Sequence, residues 1–275
     1  MSSNGNNKSN SSESILIELM TDNGVLRLTL NDSKRRNALS EEMMSSIATA
    51  LSKAEKNPDT KVIIISANGP AFCSGHDLKQ MSAGRKNDDG GLAYFTQVFS
   101  SCSALMQQIV NHPKPVIAEV SGVAAAAGCQ LVACCDLAIA SESARFVTPG
   151  VNIGLFCSTP MVALSRNVSN KAAMEMLLTG EMIDAQKAER IGLINRVEEH
   201  QALTQKTLEM ANLIASKSSM VLETGKKAFY SQKDMPLSEA YEYTSQVMVD
   251  NMLKQDAKEG IDAFIEKRQP KWQDK

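Results

Sequence analysis

The stretch that decides the fold runs from Val120 to Gln130 and reads Val-Ser-Gly-Val-Ala-Ala-Ala-Ala-Gly-Cys-Gln. It follows a β-branched run, Pro115 to Val120, and places four alanines between Gly122 and Gly128. A segment so poor in side chains leaves backbone amides uncovered where a strand passes into a helix. The unpaired N–H groups of a helix N-terminus favour negative charge. Small residues also permit close helix packing, so this stretch alone has two readings.

A second turn of the same kind lies upstream, from Gly69 to Lys79 (Gly-Pro-Ala-Phe-Cys-Ser-Gly-His-Asp-Leu-Lys). Gly75 lets the chain turn sharply and present its N–H groups to a ligand. Two such turns, each after a buried strand, supply the pair of N–H donors that an oxyanion hole requires.

Around these turns the pattern alternates strand and helix. Ile15–Met20 and Val25–Leu30 flank Thr21-Asp22-Asn23-Gly24, whose Asn-Gly favours a hairpin turn. Ser40 followed by Glu41 and Glu42 predicts a helix start, and Asn57-Pro58 predicts its end near Lys56. Lys61–Ser66 and Pro115–Val120 read as strands buried between helical layers. After Arg145-Phe146-Val147 the pattern is helical almost throughout, with one last strand expected at Leu193–Val197.

The 275 residues are 43% hydrophobic and carry a net charge of -2, enough for a sizeable core and too little positive field for a phosphate backbone or anionic lipid. Nucleic acid is not expected as a partner. The apolar run from Val116 to Ala140 is interrupted by Glu119, Gln130 and Asp136, so no membrane span is expected. Six cysteines without C-x-x-C spacing suit reduced thiols in a core. The segment 1–14, nearly all Ser, Asn and Gly, reads as disordered, and with Lys8 as its only basic residue it shows no import peptide.

The ordered set Arg36-Asn37-Ala38-Leu39, Ala71-Phe72-Cys73-Ser74-Gly75, Pro115-Val116-Ile117-Ala118 and Gly122 through Cys135-Asp136 resembles the crotonase, or enoyl-CoA hydratase/isomerase, superfamily. The likeness continues through Ala172–Gly180, Asp184-Ala185, Gly192-Leu193 and Phe264–Arg268, and spans Ile15 to Trp272. Glu119 departs from it, standing where a second alanine is usual. The resemblance implies an α/β fold, a crotonase spiral of β-β-α turns over 15–199. It also implies a helical trimerisation region over 200–275, a homotrimer or dimer of trimers, and a mitochondrial address. It implies an acyl-CoA thioester as substrate or ligand, with no other cofactor and no metal. The thioester carbonyl would sit between the backbone amides of His76 and Ala127. CoA-binding positions fall on Lys34, Arg35, Ser74, Asp77, Leu78 and Lys79, with Arg36 beside them and Lys267 and Arg268 reaching from a neighbouring subunit.

The family's hydratases use two carboxylates to position water and move protons. Their positions correspond here to Gln130 and Gly150. An amide exchanges no proton usefully near neutral pH and glycine has no side chain, so hydration is expected to be weak or absent. Relocated catalysts would be His76, Cys157 or Ser158. His76 is equally a hydrogen-bonding wall, and Cys157 needs a depressed pKa and has no histidine partner evident in sequence. Two functional classes stay open: an enzyme that acts on the thioester, and a non-catalytic acyl-CoA-binding or sensing protein.

Overall fold

A computed structural model describes residues 14–275, so the segment expected to be disordered lies, apart from Ser14, outside the described residues. The hairpin forms as expected from β1 (Leu16–Met20) and β2 (Val25–Leu30), paired antiparallel. Helix α1 (Glu41–Lys56) begins where Ser40 accepts a hydrogen bond from Met43 N–H. Glu41 and Glu42 lie in its positive first turn and Lys53 and Lys56 in its last. Its Met43, Ile47, Ala50, Leu51 and Ala54 form one buried stripe at helical spacing.

Three β-β-α turns follow. They are β3 (Val62–Ala67) and β4 (Ala71–Cys73) with α2 (Leu78–Gly84) and α3 (Leu92–Asn111); β5 (Val116–Val120) and β6 (Val123–Ala125) with α4 (Ala127–Cys134); and β7 (Leu137–Ser141) and β8 (Arg145–Val147) with α5 (Ser158–Leu164) and α6 (Asn170–Thr179). Each turn gives one strand to each of two sheets. The larger sheet runs β1-β2-β3-β5-β7-β10 and the smaller β4-β6-β8-β9, completed by β9 (Ile183–Asp184), helix α7 (Ala185–Arg190) and β10 (Arg196–Glu198). All pairs are parallel except β1–β2 and β8–β9.

The last strand lies later than Leu193–Val197. The amides of Leu193 and Ile194 donate to the Ala188 carbonyl and close α7, so ladder pairing starts only at Arg196.

The parallel strands are buried on both faces, which explains their unbroken apolar runs. Ile63 and Ile65 join the main core with Phe72 and Phe146, while Val62, Ile64 and Ile117 point the other way. That second face is covered by Ala211 and Ala215 of α8 (Leu203–Ala215), so the C-terminal helical region begins with a core helix. The departure at Glu119 belongs here: its carboxylate takes two hydrogen bonds from Arg27, at 2.8 and 2.7 Å, and one from Thr204 at 3.0 Å, tying β2, β5 and α8.

Helix α9 (Ser219–Gln232) is pinned through Lys226 and Tyr230 to Asp136, at 2.7 and 3.0 Å. Beyond it, α10 (Leu237–Met252) and α11 (Gln255–Glu266) expose a row of large apolar side chains that includes Leu237 and Phe264. All six cysteines are buried free thiols. Among the described residues no helix is long and apolar enough to cross a membrane.

Candidate active site

The two glycine-containing turns meet. A β-carbon built on Gly75 would fall 3.0 Å from Ala126 Cβ and 3.4 Å from Ala127 N, and Gly75 holds φ 90°, so a side chain there is excluded twice over. Gly128 allows a second close approach, because a β-carbon on it would lie 2.2 Å from the Cys73 carbonyl oxygen. Ala127 is the first residue of α4 and its N–H has no partner within the helix. Among the described residues, no backbone hydrogen bond of the loops and caps uses the His76 or the Ala127 N–H. The structure thus brings together the two turns that carry the amides the resemblance singles out.

A neighbouring loop sets the first of these turns. Arg36 and Asn37 both adopt left-handed backbone angles, at φ 55° and 51°. The Arg36 carbonyl accepts from Ser74 N–H at 3.1 Å, and the Gly75 carbonyl from Leu39 N–H at 2.7 Å. Asn37, fully buried, holds the loop in place. Its Oδ1 accepts from Asp32 N–H at 2.7 Å, and its Nδ2 donates to the carbonyls of Asn68 and Ala71 at 2.8 Å each. Asn37 lies inside a quoted motif, but its role depends on strands distant in sequence and carried no local signal.

Both turns open on a cavity of about 510 Å³ whose walls are mainly apolar, including Leu78, Met81, Phe99, Leu155 and Phe156. Among the described residues no acidic side chain lines it, and its titratable wall residues are His76 and Cys157. The His76 ring packs edge-on against Phe99 with centroids 5.4 Å apart. Burial lowers its pKa, only partly opposed by the Leu39 carbonyl, and neither ring nitrogen makes a hydrogen bond of full geometry. The imidazole is therefore neutral near pH 7. Burial raises the pKa of Cys157, the Gly150 backbone only partly opposing it, so this thiol is protonated and lacks the activation that a nucleophile needs. Burial likewise pushes Cys73, Cys129 and Cys134 up to about 12. Ser158 lines the cavity, and its hydroxyl donates to the Phe156 carbonyl at 3.4 Å.

Gln130 is buried one helical turn beyond Ala127, and its Oε1 has no hydrogen-bond partner. Gly150 lies in the cavity wall, where a β-carbon would meet Cys157 Sγ and the Leu155 carbonyl oxygen at 2.9 Å each.

The positions that the resemblance assigns to CoA divide. Ser74 and Leu78 line the cavity, and Lys34 and Lys79 are exposed near it in sequence. Arg35 is engaged by Asp32, by Glu42 at 3.8 Å and by Asp77 at 3.5 Å. Asp77 is buried and caps α2, accepting from Lys79 and Gln80 N–H. Lys267 forms the left-handed C-cap of α11 and is absent from the cavity wall of its own chain, and Arg268 is paired with Glu259 and Glu266. Among the described residues no cluster of three or more His, Cys, Asp or Glu side chains is placed to hold a metal.

Two sheets built from β-β-α turns, with both glycine-containing turns at an apolar cavity, define a class, and residues 20–275 match the enoyl-CoA hydratase/isomerase family, to which this chain belongs. It is similar to the mitochondrial enoyl-CoA hydratase domain-containing protein 3 of Rattus norvegicus, 49% identical over 95% of this chain and 85% of the relative. The Homo sapiens counterpart is 50% identical over 90% of this chain and 80% of the relative. The crystal structure of human enoyl-CoA hydratase domain-containing protein 3 superposes with a TM-score of 0.90 at 48% identity, covering 94% of this chain and all of that one (100%). An enoyl-CoA hydratase from Mycobacterium smegmatis gives a TM-score of 0.90 at 43% identity, over 94% of this chain and 99% of the other.

Proposed function

We propose that the cavity binds an acyl-CoA thioester whose carbonyl oxygen accepts from the His76 and Ala127 amides, and that hydration there is weak or absent. The observation that carries this reading is the approach of the two turns, Gly75 against Ala126 and Ala127, at the mouth of an apolar cavity with no acidic residue in its wall. Main-chain donors fix the oxyanion whatever side chains 76 and 127 carry. A hydratase also needs a group that delivers water and returns a proton, and Gln130 and Gly150 offer neither. Loss of one such group removes about 10²- to 10⁴-fold of rate.

The CoA phosphates would meet Lys34, Arg35 and Lys79, with Ser74, Asp77 and Leu78 shaping the pantetheine entry and Lys267 supplied by a neighbouring subunit. The apolar row on α10 and α11 supports a homotrimer or a dimer of trimers. The relatives' names support a mitochondrial setting by resemblance, in fatty-acid metabolism. A second reading, a non-catalytic acyl-CoA binder or sensor, is favoured by the same cavity, whose titratable side chains are a neutral imidazole and a protonated thiol.

One purified sample tests both. Crotonyl-CoA turnover and affinity for a saturated acyl-CoA are measured together. Turnover at the rate of an ordinary hydratase overturns the assignment of Gln130 and Gly150, and absence of binding overturns the site. Binding with weak turnover supports an enzyme; binding with none supports the sensor.

A further inference from the structure

Ala126 holds φ 50° and ψ −117°, angles open to glycine and strained for a residue with a side chain. Two backbone hydrogen bonds keep it there. Its N–H donates to the Val147 carbonyl at 2.9 Å, and its own carbonyl accepts from Gln130 N–H at 3.0 Å. Glycine would make both bonds and adopt the angles freely. The methyl group is therefore retained against a standing conformational penalty, and its surroundings are the candidate site. It faces Gly75 at the close approach described above, and Ala126 lines the cavity next to the His76 and Ala127 amides.

We propose that the Ala126 methyl group selects ligands at the acyl α-carbon, admitting thioesters without an α-substituent and rejecting those with an α-methyl branch. This rests on the cavity being a thioester site. A carbonyl oxygen held by both amides brings its own carbon, with that carbon's two substituents, beside residue 126. One substituent is the thioester sulfur, common to every acyl-CoA. The other is the α-carbon, the nearest position at which ligands differ, so a methyl in the wall is felt there first. The wall is unyielding, because the space around Gly75 is already closed by the Ala125 carbonyl and the Ala127 nitrogen, at 3.1 and 3.4 Å from a built β-carbon.

The test is Ala126→Gly in the full chain, read in two ways. In thermal unfolding without ligand, Tm rises by about 2–4 °C as the strain is relieved; truncation of an alanine with ordinary angles lowers it. In calorimetric titration, wild-type protein binds hexanoyl-CoA at least about tenfold more tightly than 2-methylhexanoyl-CoA, and the variant brings the ratio towards unity by gaining affinity for the branched ligand. A fall in Tm, or a preference unchanged by the substitution, overturns the proposal. If wild type binds hexanoyl-CoA without preferring it, only the role of Ala126 falls; if it binds neither thioester, the cavity assignment falls as well.

Discussion

Replacing Asn37 with alanine tests whether a buried side chain that does not line the cavity sets the geometry of the Gly75 turn. The substitution deletes three hydrogen bonds of 2.7–2.8 Å. The bonds to Asp32 N–H and the Asn68 carbonyl are part-buried, so water replaces them in part, and each costs about 1 kcal/mol. The Ala71 carbonyl is buried and left without that partner, at about 2 kcal/mol. Alanine also tolerates the left-handed angle at 37 less well than asparagine, adding roughly 1 kcal/mol. The expected loss, about 5 kcal/mol, belongs to the exceptional class of single substitutions. Urea unfolding should show the midpoint fall with an unchanged m value. A structural role alone would stop there. Because the same loop holds Ser74 and Gly75, the folded variant should also polarise a bound thioester carbonyl less, seen as a smaller infrared shift, while CoA itself binds as before. Asn37→Asp should be no rescue, since it sets a carboxylate against two carbonyls. A loss under about 1 kcal/mol, or an unaltered carbonyl shift in destabilised protein, would refute the reasoning.

Gln130→Glu places one carboxylate at a buried position whose present amide oxygen is unpartnered, and crotonyl-CoA hydration should rise by about 10²-fold or more; an unchanged rate would count against position 130 as a proton-transfer position. Stability should fall on mild acidification. Burial holds His76 and His112 below the ordinary 6.5, so below that pH the unfolded chain binds more protons than the folded one. Stability present at about pH 7.5 is then lost as pH drops through 6.5 towards the folded values. A flat urea midpoint across that window would contradict this, and His112→Gln should reduce the slope. Lys34→Ala should weaken acyl-CoA binding without changing stability, whereas Arg35→Ala, which strips a cation from Asp32, Glu42 and Asp77, should lower both; equal effects of the two would count against separate roles.

The hairpin, the capped start of α1 and the two long buried strands were legible because their signals are local: an Asn-Gly turn, a serine cap, a β-branched run. Strands β4, β6, β8 and β9 have two or three residues each, too few for any period, and are set by pairing across the spiral. The same limit applies at the site. Gly75 and the alanine run announced two tight turns, and the turns meet. Arg35 and Asp77 both read as ligand contacts by motif position, yet they face one another, and Asp77 is largely occupied as a helix cap. Sequence order shows which polar residues are near a turn, not which of them satisfy each other.

The two positions that the resemblance assigns to catalytic carboxylates, 130 and 150, are not equivalent. At Gly150 the space next to the backbone is taken by Cys157 Sγ and the Leu155 carbonyl, so the cavity is closed around the absent side chain, and a glutamate there would have to displace backbone. At Gln130 a polar side chain persists in the same helical register, buried, with an oxygen that nothing in the protein satisfies. An unpaired buried acceptor costs about 1–3 kcal/mol, and an apolar residue of similar size would avoid it. Position 150 thus has no room for a carboxylate side chain as packed, while position 130 presents hydrogen-bonding capacity in the first turn of α4. Gln130 itself is not among the residues that line the cavity, so its unpaired oxygen is offered as an acceptor for a bound water beside the start of α4 and not as a proton-transfer group.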